Sequence, residues 1–343
     1  MTDLPRPAGL RARWLAGGFA VLFLAVIAGI AFGPVGLPPA GVAAELLNLI
    51  PGVHLHSGLN EREIAIITEL RLPRVVLGLL VGSMLALAGG CYQGVFRNSL
   101  ADPYLLGVAA GAGLGATVAI ALNARGSVPL FAFGGALAAV ALTYLLGAAG
   151  GRDRSTSTLI LAGIAISSFL AAVQTYLLQR HSDTIREVYS WLLGQLATDG
   201  WGDVTLILPY AFGSALVVLL LRRELDVLSV GDAEAATLGL HPARSRLILV
   251  IAASLATAAA VAVSGLIGFV GIIVPHVVRL IAGPSYRAIL PLSMLYGGAF
   301  LILADLIART AAAPSELPIG VVTAFLGAPF FVLVLRTTRS TRM

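Results

Sequence analysis

The chain has 343 residues, 58% of them hydrophobic and 11% charged, with a mean hydropathy of +0.94. Soluble domains carry about 25% charged residues, so this composition lacks the polar surface a water-soluble globule needs. The formal charge of +5 therefore serves membrane topology rather than nucleic-acid binding, and the expected class is an all-α integral membrane protein, one transmembrane domain over 1–343.

A spanning helix needs about 20 mostly apolar residues. In chain order the charge-free runs of that size are Trp14 to Ala44, Val75 to Phe96, Pro103 to Ala124, Gly126 to Gly151, Ser155 to Gln179, Val204 to Leu221, Leu247 to Val278, Ala288 to Ala304 and Leu317 to Leu335. The first is expected to end as a helix near Phe32, where Gly33-Pro34 and Pro38-Pro39 break it, with an amphipathic stretch around Glu45 beyond. Leu247 to Val278 is too long for one span and is cut by Gly265, Gly268, Gly271 and Pro275, so it reads as two. About ten spans result, and an even count puts both termini on one side. With that side cytoplasmic, fifteen of the 22 arginines lie inside and seven outside (Arg62, Arg71, Arg74, Arg125, Arg180, Arg186, Arg309), as the positive-inside rule requires.

All 22 basic residues are arginine, which removes a Walker A loop with its essential lysine. The lone Cys91 sits in an apolar run and reads as a small buried hydrophobe. Glycines at Gly78, Gly82, Gly89, Gly90 and Gly94, and again at Gly107, Gly111 and Gly115, point to close helix packing. Asp305 is the main ionisable residue inside a span. A proton-coupled carrier or an intramembrane enzyme needs several such groups facing one another, so both readings recede.

Four stretches carry the most specific signal. They are Arg71-Leu-Pro-Arg74 with Gln93 and Arg97-Asn-Ser-Leu-Ala-Asp-Pro103; Val227 to Gly239; Ser264 to Arg279; and Ala304-Asp305, Ala308-Arg309, Glu316-Leu-Pro-Ile-Gly320 and Gly327-Ala-Pro-Phe330. In this order they resemble the membrane permeases of type II ATP-binding-cassette (ABC) importers for iron-siderophore, haem and vitamin B12. Ser99 stands where that family usually has proline.

The resemblance implies a non-catalytic permease that works as a homodimer in a bacterial cytoplasmic membrane. Two nucleotide-binding subunits would use ATP and Mg, and an extracytoplasmic substrate-binding protein would deliver cargo; this chain itself would hold no cofactor and no metal. Residues 226–240 would be the coupling segment, with Asp232, Ala233, Glu234, Ala235, Ala236, Leu238 and Gly239 against the ATPase. Its residues suit a short helix, with Asp232 as a candidate N-cap, Glu234 in the first turn and Gly239 as the stop. Arg71, Arg74 and Arg309 would form an exposed cationic patch receiving acidic residues of the binding protein. The alternative for them is snorkelling at helix ends. Asn98 and Leu100, with Thr156 and Ser157, would form the cytoplasmic gate; Thr156 reads equally as an N-cap.

The rest is plainer. His276, after Pro275, reads as a hydrogen-bonded structural histidine at a helix start. His54 and His56 read as an ordinary external loop, since no further ligand is near in sequence. Gln93, Gln174, Tyr176, Arg180 and Tyr189 are polar candidates along the pathway. Ferric siderophore is the first expectation for cargo, with vitamin B12 second and haem also open.

Overall fold

The computed structural model describes residues 10–48, 50–149, 156–197 and 200–340, and among them the regular structure is entirely helical. The first helix, α1 (Ala12–Ala31), ends at the expected Gly-Pro break, and α2 (Pro39–Asn48) takes up the stretch around Glu45. Next, α3 (Glu61–Ala65) continues through a π-turn at Ile66–Arg71 into α4 (Leu72–Val95). They are followed by α5 (Val108–Ala121), α6 (Val128–Ala149), α7 (Thr156–Arg180), the short α8 (Ile185–Leu192) and α9 (Gly202–Leu220). Two short helices, α10 (Arg222–Leu228) and α11 (Asp232–Thr237), precede α12 (Pro242–Ser264), α13 (Val270–Ala282), α14 (Tyr286–Thr310) and α15 (Ile319–Ser340).

Ten of these helices take up the ten expected spans. Seven of them are long and apolar enough to cross a bilayer; α5, α13 and the apolar part of α15, Ile319–Val332, are shorter. The long Leu247 to Val278 run divides as expected, between Ser264 and Val270. Helix alternation puts the start of α1 and the end of α15 at one face, called here the terminal face. The end of α1, the start of α4 and the junction of α14 with α15 lie at the opposite face.

Between apolar helices in lipid no water is expelled, so close contact has to supply the attraction. Glycine supplies the closeness. A Cβ added at Gly82 would land on the backbone of Gly297 in α14, one at Gly89 on Gly271 in α13, and one at Gly111 on Gly135 in α6. Every residue from Val81 to Val95 is buried, which makes α4 the centre of the bundle. The π-turn before it also has a reason. Pro73 lacks an N–H and would break a regular turn, and the widened turn closes through Leu72 N–H to the Ile67 carbonyl instead. An Asn60–Glu63 capping box starts this segment, with bonds of 2.9 and 3.0 Å.

Non-helical backbone inside a membrane protein must be satisfied by protein. The turn from Gly265 to Phe269 and the segment after α8 meet this need together. Gln195 N–H donates to Ser264 O at 2.8 Å, Gly320 N–H to Leu193 O at 3.0 Å and Ile319 N–H to Gly194 O at 3.2 Å. The Tyr104 hydroxyl donates to Ile267 O at 3.0 Å and accepts from Ile267 N–H at 3.1 Å. A largely apolar cavity of about 590 Å³ opens beside this junction, lined by Leu192, Leu266, Phe269, Gly320 and Phe325 among others.

Candidate functional site

At the opposite face the three expected docking arginines come together, but not as an exposed patch. Arg71 and Arg309 are buried, at 4% and 3% exposure. Arg71 Nη1 donates to the Ile30 and Ala31 carbonyls at 2.8 and 3.0 Å, and its Nη2 donates to Val35 O. Arg309 donates to Gly29 O and lies 3.4 Å from Asp305 one turn earlier. Arg74 makes the densest set, with Nε and Nη2 on Asp305 at 2.8 to 3.1 Å and Nη1 and Nη2 on Glu316 at 3.0 and 2.9 Å. Three guanidinium groups thus face two carboxylates, and the C-terminal carbonyls of α1, the negative end of its dipole, supply the remaining acceptors together with Val35 O. The expectation of an exposed cationic patch is corrected on this physical ground: a buried charge must be paired, and pairing turns these side chains inward. Only Arg74, with its side chain 15% exposed, reaches the surface, beside the half-exposed Glu316.

At the terminal face the expected coupling segment folds as two helices. Gly231, at φ +144°, precedes α11, so Asp232 is its first helical residue and not the cap that the sequence suggested. Its carboxylate is drawn away: Oδ1 accepts from Arg246 Nη2 on α12 at 2.8 Å and lies 3.3 Å from Arg97 Nη2 after α4. The Arg246 guanidinium, with Arg97 beside it, holds the Asp232 carboxyl below its ordinary range. Gly239 ends the helix as expected, at φ +83°. Its N–H donates to Ala236 O and that of Leu240 to Ala235 O, at 3.0 and 3.1 Å, the Schellman pattern. Ala235 packs inward, while Ala233, Glu234 and Ala236 are exposed. Val230 and Leu238 stand out at 66% and 70% exposure, two apolar side chains on a helix pair outside the bundle.

A second carboxylate, which the sequence reading did not single out, anchors this element. Asp226 of α10 accepts from Tyr286 N–H at 2.6 Å and from the Ser285 hydroxyl at 2.9 Å, at the N-terminus of α14. Leu225 packs against Gly94 near the end of α4. An acidic residue two before the end of α10 was visible in the sequence, but its partner, sixty residues on, was not.

Of the expected gate residues, Asn98 and Leu100 lie in the turn after α4, where the Asn98 side chain accepts from Leu100 N–H at 3.0 Å. Ser157 is exposed in the first turn of α7. Thr156 opens that helix, and its side chain lies outside the described residues. Gln93, a pathway candidate, is instead 1% exposed, donating to Gly271 O at 3.2 Å and accepting from Arg279 at 3.0 Å. Gln174 is likewise used in packing, donating to Thr117 at 3.0 Å. Tyr176, Tyr189 and Arg180 remain exposed. His276 lies inside α13 rather than at its start, against Phe330, and its buried Nδ1 has no hydrogen-bond partner among the described residues, which corrects the hydrogen-bonded reading. Among the described residues no group of three or more His, Cys, Asp or Glu could hold a metal ion.

Comparison with known proteins bears on this architecture directly. The FecCD transport family matches residues 21–337. The cobalamin import system permease protein BtuC of Halobacterium salinarum is 43% identical over 299 residues, 86% of this chain and 80% of that one. The Fe(3+) dicitrate transport system permease protein FecD of Escherichia coli is 38% identical, covering 79% of this chain and 85% of its own length. A solved structure of a metal-chelate type ABC transporter in an inward-facing conformation superposes with a TM-score of 0.83, at 28% identity, over 95% of this chain and all of that one. The helical bundle with a two-helix segment held by carboxylates is thus the transmembrane permease architecture of ABC importers, and the chain belongs to the FecCD transport family.

Proposed function

We propose that this permease works as a homodimer with two nucleotide-binding ATPase subunits at its terminal face and an extracytoplasmic substrate-binding protein at the other. It translocates a bulky metal chelate by alternating access. The observation that carries the reading is the α10–α11 element. It projects Val230 and Leu238 outward while Asp226 and Asp232 fix its base to α14 and α12. Exposed apolar side chains on a rigidly held helix outside a bilayer suit a protein partner, and ATP and Mg are used there, in the partner. The terminal face is cytoplasmic, because that orientation keeps most arginines inside.

Asn98, Leu100, Thr156 and Ser157 act as the cytoplasmic gate, with side chains that can part without stranding a buried charge. Arg74 and Glu316 give the binding protein its charged rim, while Arg71 and Arg309 act from beneath by holding α1. Ferric siderophore is the first reading of the cargo, and the likeness to a cobalamin permease favours a corrinoid as the second. Reconstitution of the three-component complex tests both levels. ATP-dependent uptake of a radiolabelled ferric siderophore is the expected result, uptake of cyanocobalamin in its place selects the second cargo, and uptake that proceeds without ATP overturns the transporter class.

A further inference from the structure

The coupling element and the gate loop share one ion pair. Asp232 opens α11, and its Oδ1 is flanked by two guanidiniums, Arg246 at 2.8 Å and Arg97 at 3.3 Å. Arg246 belongs to α12, part of the bundle, and is itself only 13% exposed along its side chain. Arg97 belongs to the loop that carries Asn98 and Leu100. One carboxylate therefore joins a fixed helix to the gate.

Arg97 is also in an unusual conformation. Its φ is +52°, and the bonds around it, Arg97 N–H to Gly94 O at 3.2 Å and Asn98 N–H to Gln93 O at 3.1 Å, form the Schellman pattern, whose left-handed position normally takes glycine. The same pattern ends α11, and there Gly239 fills it. Keeping a long cationic side chain in a place that favours glycine is a conformational cost that backbone geometry alone does not explain. The far end of the loop is pinned, since Pro103 abuts Gly271 and Tyr104 is bonded twice to Ile267. Displacement of the loop must then be taken up nearer Arg97.

We propose that the Asp232–Arg97 ion pair is the joint through which movement of α10–α11 reaches the gate, and that Arg97 is a positioning residue for Asn98 and Leu100. The proposal rests on the reading of α11 as the ATPase-docking element. Both partners are partly exposed, at 41% and 45% along the side chain, so the pair can re-form at each stroke as a permanently buried bond could not.

The test uses the reconstituted complex with ATP, magnesium and vanadate and needs no cargo. Cys91 is the only native cysteine and is buried, so a fluorescent thiol label placed at Leu100→Cys reports the gate. In the parent, trapping with vanadate shifts the label's emission. Arg97→Gln is expected to hydrolyse ATP within about two-fold of the parent, since it changes a partly exposed side chain off the docking helix, while the shift falls at least about five-fold. Arg97→Lys, which keeps the charge, should retain most of the shift. A full shift in Arg97→Gln overturns the joint, as does loss in Arg97→Lys equal to that in Arg97→Gln. A parent complex with no ATP-dependent shift overturns the functional reading instead.

Discussion

Helices α4 and α7 are alike in length, 24 and 25 residues, and in apolar character, yet the most apolar 18-residue stretch of the first is 78% buried and that of the second 17%. The difference lies in the small residues. On α4, Gly82 and Gly89 bring two neighbouring backbones into direct contact, and Gly78, Gly90 and Gly94 seat side chains from other parts of the fold. The single glycine of α7, Gly163, meets the Leu105 carbonyl, and the rest of that helix shows Leu161, Ile164, Phe169 and Tyr176 outward. Its hydroxyls do not change this, because Ser168 and Thr175 donate back to Ile164 O and Ala171 O at 2.9 Å. Hydropathy places both helices in the membrane; glycine spacing decides which one becomes the core.

The sharpest way to break this comparison is to add the same side chain to both helices. Gly89→Leu forces a Cβ into the Gly271 backbone, which no rotamer can relieve. A cost above about 3 kcal/mol follows, enough to prevent assembly of the bundle. Ala172→Leu, on the exposed face of α7, is expected to change stability by less than about 0.5 kcal/mol. Thermal unfolding of each variant in nanodiscs, followed by size-exclusion fluorescence, measures the difference. Equal midpoints for the two would remove glycine spacing as the cause.

Next in size is the charge cluster at the N-terminal end of α4. Asp305→Asn leaves Arg74 with Glu316 alone and Arg309 with only the α1 carbonyl among its close acceptors, so buried positive charge goes uncompensated. Breaking a buried pair in this way costs about 3 kcal/mol. Because Arg71 and Arg309 both grip the end of α1, hydrogen exchange should rise first at Gly29–Phe32. Unchanged protection there, with a lowered midpoint elsewhere, would disconnect the cluster from α1. Tyr104→Phe is expected to cost less, about 2 kcal/mol, by leaving the Ile267 N–H and carbonyl without the hydroxyl. Wild-type stability for Tyr104→Phe would mean that another group satisfies that turn.

The same contrast explains what could be read in the sequence. Span positions, the break at Gly33-Pro34, the division near Gly265 and the Gly239 stop all follow from local chemistry, and they stand in the structure. Burial of Arg71 and Arg309 did not follow, because their acceptors lie at the end of α1 and at Val35 just beyond it, 36 to 41 and 280 residues away. The use of Gln93 in packing depended on Gly271 and Arg279 in the same way. Asp232 was misread as a cap for a related reason: the capping rule counts neighbours in sequence, and the carboxylate had a stronger partner fourteen residues on, in Arg246.

The smallest effect expected is a pH dependence confined to α11. The hydrogen bond from Arg246 holds the Asp232 carboxyl below its ordinary range. A group with a depressed folded-state pKa contributes stability that is fully present above its unfolded value, near 3.9, and is lost only as pH falls through the lower folded value. Between pH 7 and about 4.5 the segment should therefore keep its order. Further acidification should loosen it, and only modestly, since both the Arg97 pair and nearly half of Asp232 are open to solvent screening. The probe is exchange of the Leu240 and Gly239 amides, whose bonds to Ala235 and Ala236 close α11, corrected for intrinsic rates across a pH series. Asp232→Asn should remove the pH dependence while lowering protection to the same acid level at every pH. A midpoint above the ordinary carboxylate range would mean that the Asp232 charge is not what holds α11 against α12.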